Sequence, residues 1–332
     1  MINLGLNFPL SLPVMRNLIY LTILVLFPLL ACGATWSEAN EPIRVVPDAP
    51  VLDYRMVVLG EKLFHDPRLS GDGTISCASC HPLDQGGMDG QKVSTGIRGQ
   101  QGPINAPTVY NASLHFAQFW DGRAATLEEQ AAGPVENPLE MGAVWSDVIT
   151  TLKQDKAYLK EFAALFEDGI TKQNVVRAIA DFERTLVTPN SPFDRYLKGD
   201  EAAIGELEKT GYRLFKAYGC SSCHQGAAVG GNMYQTMGII RDYFQDRGHV
   251  TKADLGRQNV TGEEASKHEF KVPSLRNVAL TAPYFHDGSA TTLEAAVTVM
   301  GRYQIGRDIP EQGLGAIVAF LKSLTGIQRG AQ

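Results

Sequence analysis

Cys77-Ala78-Ser79-Cys80-His81 and Cys220-Ser221-Ser222-Cys223-His224 are the two stretches that decide how this chain folds. Two cysteines separated by two residues can each form a thioether to a vinyl group of one porphyrin, and the histidine that follows then falls beneath the iron. A disulfide, a zinc knuckle and a redox dithiol use the same spacing. Zinc, however, needs four ligands from clustered pairs, whereas these pairs are far apart and each carries its own histidine. The pentads therefore predict two covalently bound haem c groups, one held by Cys77 and Cys80 and one by Cys220 and Cys223, with His81 and His224 as proximal iron ligands. Of five cysteines only Cys32 is left over.

Outward from the pentads the chain repeats itself. Gly60-Glu61-Lys62-Leu63-Phe64 precedes the first, and Gly211-Tyr212-Arg213-Leu214-Phe215 precedes the second. Ala106-Pro107-Thr108-Val109-Tyr110-Asn111 matches Val272-Pro273-Ser274-Leu275-Arg276-Asn277. Phe119-Trp120-Asp121-Gly122 matches Phe285-His286-Asp287-Gly288, and both run on into Ala-x-Thr-Leu-Glu. Each half closes on an amphipathic helix, with Ile179, Phe182 and Leu186 in one and Ile317, Phe320, Leu321 and Leu324 in the other at helical spacing. Thr188-Pro189-Asn190-Ser191-Pro192 reads as the linker, and no β-alternation of any length is visible. The expected fold is mainly α: two tandem cytochrome-c-like haem domains with an interdomain cleft, over residues 51–190 and 191–328.

The sixth iron ligand decides the chemistry. Methionine opposite histidine closes the iron for electron transfer, whereas an empty position admits a small oxidant. Met300, on a helix opened by Thr291-Thr292-Leu293-Glu294, is the candidate for the second haem; Met233 and Met237 lie too close to the pentad. Counting from the shared Asp-Gly, Pro134 stands where Met300 would fall, followed by Glu136-Asn137-Pro138-Leu139-Glu140-Met141. The first haem then has no methionine but a carboxylate nearby, with Met141 as a competing ligand. Reducing peroxide at an open iron needs a base that takes the first proton and later gives it to the leaving oxygen, work a carboxylate in an apolar pocket can do.

Length and composition fit a globular protein of two domains: 332 residues, 44% hydrophobic and 20% charged. A net charge of −6 without a basic block argues against a nucleic-acid partner. Residues 1–31, with Arg16 ahead of an apolar run from Leu18 to Leu30, read as an export signal too short and too weakly flanked for a transmembrane anchor. Leu29-Leu30-Ala31-Cys32 resembles a lipoprotein cleavage site, which would make Cys32 a lipid anchor; ordinary cleavage near Ala34 is the alternative and gives no lipid on Cys32. Either route predicts a periplasmic protein whose residues 32–50 form a tail. Removing residues 1–31, which carry one Arg and no acid, takes −6 to −7. An acidic surface suits an electron donor with a basic rim, such as a small cytochrome c, and a copper protein of the cupredoxin type also fits.

Asp66-Pro67-Arg68-Leu69-Ser70, Gln118-Phe119-Trp120-Asp121-Gly122-Arg123 and Leu280-Thr281-Ala282-Pro283-Tyr284-Phe285-His286 are phrases beyond the pentads, and from about Val51 to Gly326 the chain resembles the bacterial di-haem cytochrome c peroxidases. That resemblance implies Glu140 as distal acid/base, Gln130 positioning peroxide, Trp120 on the electron route between the haems, and Met300 as axial ligand. It also implies calcium held by the Asn105 side chain and the carbonyls of Thr281 and Pro283, and a homodimer. The sequence departs from the family at Ile97, where a histidine commonly closes the peroxidatic iron, so the first haem is expected to be open when fully oxidised. His65 and His115 are outside candidates for a sixth ligand, more readily explained as surface or supporting residues.

The expected reaction is reduction of H2O2 to two waters, with electrons taken in at the second haem and used at the first. Two alternatives stand beside it. A relative that matures a tryptophylquinone in a partner protein has tyrosine in place of the second-haem methionine, so Met300 argues against that role. A plain di-haem electron carrier would leave Glu140 and Gln130 without a task.

Overall fold

The helices form where the chain supplies an apolar stripe, and several also start on a side-chain cap. The computed structural model describes residues 41–327; the segment expected to be an export signal, Cys32 and the last residues of the chain lie outside them. Among the described residues no helix is long and apolar enough to cross a membrane.

In the first half, helix Tyr54–Phe64 begins on Asp53, whose side chain accepts from the Arg55 amide. It crosses helix Lys172–Arg184 at Gly60, where any side chain would collide with the Ala178 carbonyl and Phe182. In the second half, helix Glu206–Ala217 crosses helix Glu311–Lys322 at Gly211, where a side chain would collide with the Ala316 carbonyl and Phe320. The repeat read from sequence is thus a repeat of close approaches. The two largest apolar cores among the described residues result. One includes Leu63, Phe64, Ile179, Phe182 and Leu186; the other includes Phe193, Phe215, Ile317, Phe320 and Leu324.

The same correspondence holds in the loops. Asn111 and Asn277 both adopt left-handed backbone, at φ 62° and 60°, a conformation asparagine tolerates. Phe119 and Phe285 do so at 66° and 71°, held by equivalent bridges, Gln118 to Ala124 and Tyr284 to Ala290. Helices Leu127–Glu136 and Leu293–Val299 both start on a threonine, Thr126 or Thr292, whose side chain accepts an amide of the first turn.

Three details differ from the sequence reading. Two short strands exist, Tyr234–Thr236 paired antiparallel with Glu269–Lys271, too brief to show as alternation. The segment from Thr188 to Ser191 is no loose tether: Thr188 is buried, and its Oγ1 accepts from Asn111 Nδ2 at 2.8 Å and Asn277 Nδ2 at 3.1 Å. The two equivalent asparagines therefore meet on the connecting residue. Part of the expected tail is also built in: Ile43 is fully buried in the second core, and the Arg44 carbonyl accepts from the buried Arg276 at 2.7 Å.

Candidate functional site

Both pentads are held ready for a ligand. Cys77, Cys80, Cys220 and Cys223 form no disulfide. The Nδ1 of His81 lies 3.1 Å from the Gly87 carbonyl and that of His224 lies 3.3 Å from the Val229 carbonyl. A backbone acceptor on Nδ1 fixes the tautomer and ring orientation that turn Nε2 toward a metal. Unpaired cysteines beside oriented histidines fit two covalently attached haems.

Near the first pentad a cavity of about 320 Å³ is lined by Phe119, Arg123, Ala124, Glu129, Gly133, Pro134, Asn137 and Glu140. Burial raises the pKa of the Glu140 carboxyl above its ordinary value, opposed by a hydrogen bond from Asn137 and the charge of Arg123. Asn137 Nδ2 donates to Oε1 at 2.6 Å, and Arg123 lies 3.4 Å over the Phe119 ring. Burial is also the main reason that the Cys77 and Cys80 thiols are pushed up; the Glu140 carboxylate adds to it at both, so its charge reaches the pentad.

Pro134 and Met300 occupy equivalent places, since their helices start at Leu127 and Leu293 with matching caps. Met300 ends the α-helical stretch and opens a π-helical turn, Met300–Gln304. Such turns widen a helix locally and are frequent at functional positions. In the first half the same place is a proline that lines the cavity. Gln130 stands one turn before Pro134 on the same helix face but is not among the lining residues.

Trp120 is fastened to both halves. Its Nε1 donates to the Asn105 carbonyl at 2.9 Å, its own carbonyl accepts the Lys271 amide at 2.8 Å, and its ring meets His286 edge-on at 6.3 Å. Asn105 is buried, with Nδ2 donating to the Gln91 carbonyl at 2.8 Å, which leaves Oδ1 for another partner. Thr281 and Pro283 follow in the loop after Val278–Leu280, and the Ala282–Pro283 bond is cis.

Ile97 is buried against the Glu140 turn: its amide donates to the Glu140 carbonyl at 2.8 Å. His65 is exposed and its Nδ1 pairs with the Glu61 carbonyl. His115 is partly exposed, with its Nε2 buried without a partner and its Nδ1 3.1 Å from Lys271 Nζ.

Sequence reasoning missed Asn137 and Arg123, the groups that set the Glu140 carboxyl. Asn137 was open to it as the turn residue three before Glu140; Arg123 was not, because it reaches the cavity only through the fold. It also missed the buried network behind Trp120, in which Asp254 accepts from His286 at 2.7 Å and Arg247 at 2.6 Å.

A family profile described as di-haem cytochrome c peroxidase matches residues 54–202. The chain is 50% identical over 292 residues to cytochrome c peroxidase Ccp of Escherichia coli, covering 88% of this chain and 62% of that one, so it spans under two thirds of that relative. It is 48% identical over 305 residues to cytochrome c551 peroxidase of Nitrosomonas europaea, covering 90% of each. A crystal structure of a MauG-like protein associated with microbial copper homeostasis superposes with a TM-score of 0.75 at 31% identity, covering 86% of this chain and 93% of that one. Nearly half identical to a peroxidase along almost the whole of both chains, this protein belongs to the di-haem cytochrome c peroxidase family.

Proposed function

We propose that this protein is a cytochrome c peroxidase that reduces H2O2 to water with electrons from a small cytochrome c or a copper protein. Electrons enter at the Cys220–His224 site and are used at the Cys77–His81 site, one haem to each half of the chain. The observation that carries this reading is the place shared by Pro134 and Met300: one half offers a thioether there, the other a cavity with Glu140 on its wall.

Haem c at the two pentads supplies the redox chemistry when bound, and the chain supplies proton control and positioning. Glu140 accepts a proton from H2O2 and returns it to the leaving oxygen. Asn137 holds Oε1 and leaves Oε2 for the substrate. Phe119 and Pro134 keep the wall apolar, which raises the carboxyl toward the pH at which it can work in both directions. Gln130, one turn from Pro134, orients the peroxide. With two electrons and two protons the balance closes on two waters.

Trp120 is the conduit between the halves. Asn105, Thr281 and Pro283 hold calcium, for which the Asn105 Oδ1 and two backbone carbonyls form a suitable oxygen set. Export to the periplasm, a lipid on Cys32 and a homodimer complete the reading.

Steady-state oxidation of reduced cytochrome c by H2O2, with the holoprotein and with Glu140→Gln, tests it. Turnover that falls strongly in the variant is expected. A protein that exchanges electrons with cytochrome c but consumes no peroxide is an electron carrier and overturns the proposal.

A further inference from the structure

Away from the cavity, Lys271 and His115 form a polar pair whose hydrogen-bonding groups are not all satisfied. Lys271 is only 6% exposed, at the end of the strand Glu269–Lys271, and forms no ion pair. The acid whose charge acts on it, Asp121, is already bridged to Arg123 at 2.9 Å. Lys271 Nζ lies 3.1 Å from His115 Nδ1 and, having only protons to offer, donates to it. The imidazole proton must then sit on Nε2, which is buried and has no acceptor. Burial lowers the Lys271 ammonium to about 8, which an anion beside it would offset. A buried cation with unused N–H groups beside a buried imidazole N–H calls for an anion with at least two oxygens.

The repeat says what this pair is. Lys271 corresponds to Asn105 and His115 to Thr281, by the same offset of 166 residues that relates Asn111 to Asn277. The hydrogen bonds correspond too. The Asn105 amide donates to the His286 carbonyl at 2.7 Å, and the Lys271 amide donates to the Trp120 carbonyl at 2.8 Å. The pseudo-symmetric partner of the oxygen set offered by Asn105 and Thr281 is therefore a place where the chain supplies its own cation. The surroundings belong to the second pentad. The His115 ring lies against Gly231, whose amide donates to the Val272 carbonyl at 2.7 Å, and the preceding Gly230 amide donates at 2.9 Å to the carbonyl of Gln225, the residue after His224.

We propose that Lys271 and His115 together receive a propionate carboxylate of the haem attached at Cys220 and Cys223. This rests on the haem reading above. Lys271 then neutralises that carboxylate, and because its amide is tied to Trp120, the anchored carboxylate is fixed relative to the inter-haem tryptophan.

The test is spectroelectrochemical titration of the holoprotein, with haem staining of the denatured chain as control. Lys271→Met removes the charge at similar length. It is expected to lower the midpoint potential of the second haem and shift its propionate resonance Raman modes, with the first haem unchanged and both haems still covalently stained. Lys271→Arg keeps the charge and is expected to stay nearer the wild type. If Lys271→Met does not accumulate, His115→Gln carries the test through the Raman modes of the second haem. Unmoved potential and modes at the second haem, or a shift confined to the first, overturn the proposal. A wild-type chain without haem stain fails the haem reading itself, a distinguishable outcome.

Discussion

The Ile97 amide donates to the Glu140 carbonyl at 2.8 Å, which binds the loop after the first pentad to the turn that carries the proposed proton acceptor. The fit between the two segments is tight, since a side chain at Gly96 would collide with the Leu139 and Glu140 carbonyls, and one at Gly142 with the Ile97 side chain. Ile97 brings no ligand atom and contributes a buried apolar wall. A histidine in its place would add a ligand beside the Glu140 turn, so Ile97→His is expected to turn the first ferric haem low-spin and slow its reaction with peroxide until the protein is reduced. Electron paramagnetic resonance of the oxidised variant reads this directly.

Glu140→Gln removes the proposed proton acceptor and keeps the shape. General acid–base catalysis is worth about 10²–10⁴-fold, and kcat for peroxide-dependent cytochrome c oxidation is expected to fall by that order with both haems still bound. Steady-state kinetics measure it.

The pH profile follows from the same group. In the proposed role Glu140 must be unprotonated to accept the first proton, so activity is expected to be lost as pH falls through its pKa. Burial raises that pKa, against the opposing Asn137 and Arg123, so the acid limb should lie above the ordinary carboxylate range. Asn137→Ala removes a hydrogen bond that favours the charged form and is expected to move the limb further up in pH. A limb unchanged in both Glu140→Gln and Asn137→Ala assigns it to another group.

Met300→Ala is expected to remove the methionine-ligated signature of the second ferric haem and to lower that haem's potential, because the thioether favours the reduced iron. The first haem's spectrum should not change. A redox titration followed by visible absorption separates the two.

Thr126 and Thr292 cap equivalent helices with equivalent hydrogen bonds, 3.1 Å to the Glu129 amide and 3.1 Å to the Ala295 amide. Replacing either with alanine is expected to cost about 1 kcal/mol in urea denaturation of the holoprotein. Similar losses at the two sites support the structural equivalence of Pro134 and Met300; a loss at one alone weakens it.

What the sequence made legible was local or repeated. The glycines at 60 and 211, the Asn111 and Asn277 turns and the threonine caps are matched short phrases, and each fixes one piece of backbone geometry. The comparison of halves exposed Pro134 in the place of a methionine with carboxylates close behind it, and the resemblance to the di-haem peroxidases singled out Glu140 among them. The groups that tune it were harder to see: Arg123 and the Ile97 loop meet Glu140 only through tertiary contacts. The burial of Thr188 was hidden for a related reason, since Thr-Pro-Asn-Ser-Pro has the composition of an exposed turn but is clamped by two distant asparagines. His115 looked like a spare polar residue because nothing near it in sequence announces Lys271.

The most direct test of the central claim, that the two haem sites are unequal and that peroxide is reduced at the one facing Glu140, is the spin state of the fully oxidised holoprotein before and after one equivalent of H2O2. One low-spin haem and one high-spin haem are expected, with the high-spin signal lost on adding peroxide without prior reduction. Two low-spin haems and no reaction with peroxide would contradict it.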